Sequence, residues 1–189
     1  VHTDEAAREV LADTDTVVAH CPSANMKLAS GIAPVQDYLD RGIAVALGND
    51  GPPCNNTLDP FTEMRQASLL GKVDARDPTR LPAATVLELA TTNGARAAGF
   101  DRLGTLRAGQ RADVIGITTD RTRATPLHDP LSHLVYAAHG DDVVFTMVDG
   151  RVRYEDGEHV GVDADAVRER ATREAERVVE AAGIETVEL

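Results

Sequence analysis

A mixed α/β chain is what this sequence predicts: a parallel strand-and-helix layer, then a small β module, then one amphipathic helix. Three observations carry that reading. Two short apolar runs, Thr16-Val17-Val18-Ala19-His20 and Ile43-Ala44-Val45-Ala46-Leu47, alternate with helical segments through the first hundred residues. Beyond residue 101 the pattern turns β-rich, and Asp149-Gly150 between two such runs is a strong hairpin signal. Near the end, Val167, Ala171, Ala175, Val178, Val179 and Ala182 fall on one helical face that Gly183 closes.

The elements follow in order. Residues 4–12 read as a short helix, 16–20 as a strand, and Cys21 to Gly31 as a loop of small and polar residues. Pro34 opens a helix through about Leu39, with Gly42 just past its end, and Ile43 to Leu47 is the next buried strand. Asp59 suits a cap and Pro60 the first helical position, so a helix starts there, with Phe61, Met64, Ala67 and Ser68 at helical spacing. Another begins at Pro82, loosens at Gly94 and ends by Gly99. In the β-rich part, 112–117, 142–148 and 151–154 read as strands, the last two joined at Asp149-Gly150.

Composition excludes several classes. The 189 residues are 42% hydrophobic, enough for a packed core. No apolar run approaches the roughly 20 residues of a membrane span. A net charge of -12, with Lys27 and Lys72 the only lysines, argues against nucleic acid, because phosphate contacts need clustered cations. The acids are spread along the chain, which suggests a solvated acidic surface adapted to high salt. Cys21 and Cys54 read as reduced thiols of a cytoplasmic protein. The chain opens on Val1 rather than methionine and shows no signal-peptide pattern, so we expect it to begin inside a longer protein.

The chemistry concentrates in "GNDGPPCNN", residues 48–56, directly after the second apolar strand. An acid at the carboxyl end of a parallel strand is where α/β enzymes place catalytic and metal-binding groups. Asp50 there suits a metal ligand or a general base, yet Asn49-Asp50-Gly51 is also rich turn chemistry, and spacing alone leaves the two readings even. His20 ends the preceding strand in an equivalent place and reads as either structural or functional. Ser23, Asn25 and Lys27 could bond a ligand or their own loop. Asn55 and Asn56 shape the turn after Asp50, whereas Glu63 and Arg65 read as solvated helix residues. His128, His133, His139 and His159 lack metal-ligand spacing, although His133 could line a cleft. Neither a phosphate-binding glycine loop nor a nucleophile elbow occurs.

At these residues the sequence resembles a known family. "AHCPSANMKLASGIAPV" (19–35), "VALGNDGPPCNNTLDPFTEMRQASLL" (45–70), "ATTNGARAAGF" (90–100) and "GTLRAGQRADVIGI" (104–117) together resemble the amidohydrolase superfamily. The branch they look like is that of methylthioadenosine/S-adenosylhomocysteine deaminases, with their triazine-hydrolase and chlorohydrolase relatives. "PLSHLVYAAHGDDVVFTMVDGRVRYEDGE" (130–158) is similar to the terminal β-sandwich hairpins of those enzymes. The resemblance covers nearly the whole chain.

It implies the C-terminal portion of a metal-dependent (β/α)8 barrel in residues 1–100. It further implies a composite β-sandwich module in 101–160, built from both chain termini, and an amphipathic helix in 161–189. Asp50 would occupy the aspartate position that ends the eighth barrel strand, both metal ligand and catalytic proton carrier. Asn49 replaces the family's common threonine. His20, Ser23, Asn25, Asn55 and Asn56 would shape the substrate pocket. The cofactor implied is a divalent metal, zinc first and iron second. Its other ligands would lie upstream, because the chain is expected to start just beyond the sixth strand.

The implied reaction is hydrolytic deamination of a purine-type substrate such as methylthioadenosine or S-adenosylhomocysteine by the complete enzyme. A guanine-type deaminase and a chlorohydrolase are the alternatives within that class. A non-catalytic truncated fragment or assembly partner is the alternative outside it. The expected partners are the small-molecule substrate, the missing N-terminal barrel half and further copies of the chain, with neither nucleic acid nor membrane.

Overall fold

The computed structural model describes residues 1–184. Positions 185–189, the end of the expected terminal segment, lie outside the described residues. The first half builds a β–α–β layer. Helix α1 (Glu5–Asp13) starts where the Asp4 side chain accepts from the Ala7 N–H. Strand β1 (Val18–His20) follows, and helices α2 (Pro22–Lys27) and α3 (Val35–Asp40) cross to strand β2 (Val45–Leu47). The two strands pair parallel, Val18 beside Val45 and His20 beside Leu47, so both end on the same side of the layer.

One local expectation needs correction. Cys21 to Gly31 is not all loop: Pro22 takes a first-turn position of α2, where its missing N–H costs nothing, and Lys27 sits in the last turn. Small polar residues hid a helix that is only two turns long.

Helix α4 (Pro52–Asn55) and the long helix α5 (Pro60–Ala75) come next, then α6 (Ala83–Ala90) and α7 (Thr92–Ala97). Asp59 caps α5 by accepting from the Phe61 N–H, with Pro60 at its start, as the sequence predicts. The expected single helix after Pro82 is two, broken at Thr91, whose ψ of -85° leaves the helical region. One core joins these pieces. Tyr38, Ile43, Val45, Phe61, Leu81, Val86 and Leu89 are buried together, with Val135 from the later helix α8 (Pro130–Tyr136).

The second half is a single four-stranded antiparallel sheet, β3 (Val114–Ile117), β4 (Val143–Val148), β5 (Arg151–Glu155) and β6 (Glu158–His159), in that spatial order. Among the described residues, 101–160 contribute this one sheet, and no second sheet faces it. The module docks closely. A Cβ on Gly104, at φ +90°, would meet the Thr91 carbonyl oxygen at 2.8 Å, so only glycine lets the backbone pass the α6–α7 break.

The hairpin is as expected: Asp149 at φ 51° and Gly150 at φ 74° both take positive φ, as a two-residue turn of primed type demands. Nothing lies within 4 Å of a Cβ built on Gly150. The Gly150→Ala variant therefore meets no clash, only left-handed backbone strain, and should lose about 1 kcal/mol in a urea titration.

A buried carboxylate ties the module to α8. Asp142, 1% exposed, accepts from the guanidinium groups of Arg123 and Arg121 and from the His139 N–H at 2.9 Å. The Arg123 hydrogen bond holds its carboxyl at about 2, below the ordinary carboxylate value. In the unfolded chain the same group titrates near ~3.9. Its contribution is therefore present above that value and is lost as pH falls through about 2. Thermal melts should show Asp142→Asn less stable than the parent at neutral pH, with the gap shrinking between pH ~4 and ~2.

Candidate active site at the strand ends

The parallel register sets the site. Because His20 pairs with Leu47, the chain leaving β2 reaches Gly48, Asn49 and Asp50 beside the end of β1. The Gly48 N–H donates to the His20 carbonyl at 2.9 Å, extending the ladder one step. A Cβ on Gly48 would stand 3.0 Å from the Cys21 sulfur, so the two strand ends touch. Farther back, the Asn93 amide donates to the Val45 carbonyl at 2.8 Å, which satisfies one ladder group from the α7 side.

Asp50 itself is exposed and left-handed, at φ 60°. Its Oδ1 accepts from the Gly51 N–H at 2.6 Å. A non-glycine residue at positive φ where a parallel strand ends is the kind of strain that accumulates at functional sites. Burial, followed by the Asp50 charge, pushes the Cys21 thiol up.

Two polar atoms near the strand ends are buried and have no hydrogen-bond partner among the described residues: His20 Nδ1 and Asn49 Nδ2. His20 is 3% exposed, and burial lowers its pKa to about 4. It is therefore a neutral imidazole at pH 7, able to accept or donate one hydrogen bond.

Behind the strand ends sits a buried carboxylate that the sequence reading missed. Glu63 is not solvated; it is 1% exposed. It accepts from the Ser23 N–H at 3.1 Å, from the Ser23 hydroxyl, and from the Asn55 amide at 2.8 Å. Asn55 is buried and spends its oxygen on the Leu58 N–H at 2.6 Å. One carboxylate thus binds the start of α2 to the turn after Asp50. Arg65 is likewise anchored, donating to the Ala138 carbonyl at 2.9 Å. A signal for Glu63 existed: it lies one turn before Ala67, on the same helical face.

The remaining expected site residues separate. Asn56, left-handed at φ 72°, accepts from the Lys27 ammonium at 2.7 Å, and Lys27 also donates to the Pro53 carbonyl at 2.7 Å. Asn25 is half-buried on α2. His133 sits on α8 with a buried Nε2 that has no partner among the described residues.

Among the described residues no group of three or more His, Cys, Asp or Glu side chains could hold a metal ion. A catalytic zinc takes about three protein ligands. The donor set of this chain alone therefore does not fit a metal centre, and Asp50 is at most one ligand of it.

The model of the amidohydrolase family matches residues 1–153. The chain belongs to the amidohydrolase family. It is 50% identical over 183 residues to a protein of Haloarcula marismortui described as a 5-methylthioadenosine/S-adenosylhomocysteine deaminase, covering 97% of this chain and 42% of that one. It is 51% identical over 150 residues to a 5'-deoxyadenosine deaminase of Methanothermobacter thermautotrophicus, covering 79% and 35%. A crystal structure of an adenosine deaminase from Xanthomonas campestris with bound zinc superposes at a TM-score of 0.90 with 37% identity, covering 94% and 40%. The chain thus spans less than half the length of the relatives it matches. No helix among the described residues is long and apolar enough to cross a membrane.

Proposed function

We propose that this chain is the C-terminal part of a metal-dependent amidohydrolase that hydrolytically deaminates a purine-type substrate such as methylthioadenosine or S-adenosylhomocysteine. The observation that carries this is the 50% identity over 183 residues to the Haloarcula deaminase. The strained, exposed Asp50 at the shared end of two parallel strands supports it. In this reading β1 and β2 are the last two strands of a (β/α)8 barrel, and the four-stranded sheet is one layer of a sandwich completed by upstream chain.

Asp50 contributes one carboxylate to a centre whose other ligands belong to the rest of the protein, and it carries a proton during turnover. Zinc is the metal proposed, ahead of iron, and the zinc-bound neighbour supports that choice. The neutral His20 and the Asn49 amide face the reacting region with unfilled hydrogen-bonding capacity. Asn25 and Asn56 line the substrate side. Ser23 and Asn55 act through Glu63, holding the walls in place. Two free thiols and the acidic composition fit a reducing, salty cytoplasm.

A second reading is favoured by one observation, the missing metal donors: the chain could be a non-catalytic fragment or assembly partner. Adding an upstream half of a close relative in trans, with zinc, separates the readings. Ammonia release from methylthioadenosine or adenosylhomocysteine is expected. Release from guanine instead would move the substrate class, and complementation without any activity would favour the inert fragment.

A further inference from the structure

The loop that carries Asp50 holds three non-glycine residues in left-handed backbone: Asp50, Asn56 and Leu58, at φ 60°, 72° and 52°. Strain of this kind persists only where the surroundings over-determine the chain. Two sets of hydrogen bonds do so here, and Asn55 belongs to both.

The first set is main-chain. The Gly51 carbonyl accepts from the Cys54 and Asn55 N–H groups, each at 3.0 Å, while the Gly51 N–H donates to the Asp50 carboxylate at 2.6 Å. Gly51 is thus held at both ends, by Asp50 on one side and by Asn55 on the other.

The second set runs through the Asn55 side chain, which is 8% exposed. Its Nδ2 donates to Glu63 Oε1 at 2.8 Å, and its Oδ1 accepts from the Leu58 N–H at 2.6 Å. A carboxylate only accepts and a main-chain N–H only donates, so the amide has one orientation and both of its ends are engaged. Glu63, 1% exposed, is fixed in turn by the Ser23 N–H at 3.1 Å. Every member of this strut belongs to the present chain, and its central pair is buried within it.

We propose, resting on the reading in which Asp50 carries the proton, that Asn55 is a positioning residue for the deamination. Braced by Glu63, it fixes Gly51 and through it the Asp50 carboxylate. A displaced carboxylate slows the proton transfer without loosening the substrate, so kcat falls while KM holds.

The test uses the chain assembled with an upstream half and zinc, assayed for ammonia release from methylthioadenosine. Asn55→Asp sets two carboxylates against each other and should lower kcat about tenfold or more, with KM within about threefold of the parent. Glu63→Gln turns an amide N–H toward Asn55 or Ser23 and should also lower kcat. Combining the two restores a matched pair. The introduced glutamine donates to the introduced aspartate and accepts from Ser23, while the aspartate still accepts from the Leu58 N–H. The kcat of this swap should return to within about threefold of the parent.

Backbone hydrogen exchange at Cys54 and Asn55 reads the strut without activity. It should speed up about tenfold in either single variant and slow again in the swap. Where Asn55→Asp does not fold, Glu63→Gln and the swap carry the same comparison. A raised KM at unchanged kcat would make Asn55 a substrate contact, and a swap no better than the worse single variant would show that no strut exists; either overturns the proposal. A parent that releases no ammonia would instead fail the deaminase reading, and hydrogen exchange would then decide the strut by itself.

Discussion

Asp50→Asn in the assembled enzyme is expected to cut turnover by about a hundredfold or more while leaving the fold intact, because on the proposed reading it removes the proton acceptor of the reaction. The fold should be indifferent for specific reasons. Among the described residues the only side-chain hydrogen bond of Asp50 is accepted from the Gly51 N–H, and an amide oxygen can accept the same bond. Asparagine also tolerates the left-handed backbone at φ 60°. Steady-state ammonia release and circular dichroism read the two quantities separately. Activity within about tenfold of the parent, a barrier change near 1.4 kcal/mol, would reduce Asp50 to a turn residue.

Glu63→Ala should produce the largest loss of stability of any single truncation near the site. The carboxylate is buried and receives the Ser23 N–H, the Ser23 hydroxyl and the Asn55 amide. Hydrogen bonds to charged groups contribute about 1.5–3 kcal/mol each, and removal leaves donors buried without acceptors. A total near ~4 kcal/mol follows once partial relaxation is allowed, a large share of the ~5–15 kcal/mol that holds a typical domain together. Glu63→Gln keeps the volume and one acceptor, so it should fall between the parent and alanine. Denaturant midpoints decide the matter; an alanine variant within about 1 kcal/mol of the parent would show that water takes over the role of Glu63.

Such a loss would reach the chemistry as well. Glu63 joins the start of α2 to the turn that follows Asp50, so both walls of the strand-end cluster depend on it. In an assembled enzyme, Glu63→Gln should therefore lower activity more than its stability cost alone explains.

Much of this architecture was legible in the residues. Asp59-Pro60 starts α5, Asp149-Gly150 turns the hairpin and the apolar stripe of α9 (Ala164–Ala181) has helical period, because caps, turns and periodicity are encoded within a few positions of one another. The position of Asp50 at a strand end was legible for the same reason. The helix within 21–31 was not, since two turns of small polar residues carry too little periodic signal.

By itself the sequence determined the order of elements, the turns and the carboxylate at the end of β2. Tertiary structure alone decided that His20 and Asn49 keep unfilled polar atoms beside it, that Asn55 is consumed by Glu63 and the Leu58 N–H, and that Glu63 is buried. The reason is range. The Glu63–Ser23 contacts join residues forty positions apart, and the burial of a charge depends on which distant donors converge on it, a quantity no local pattern contains.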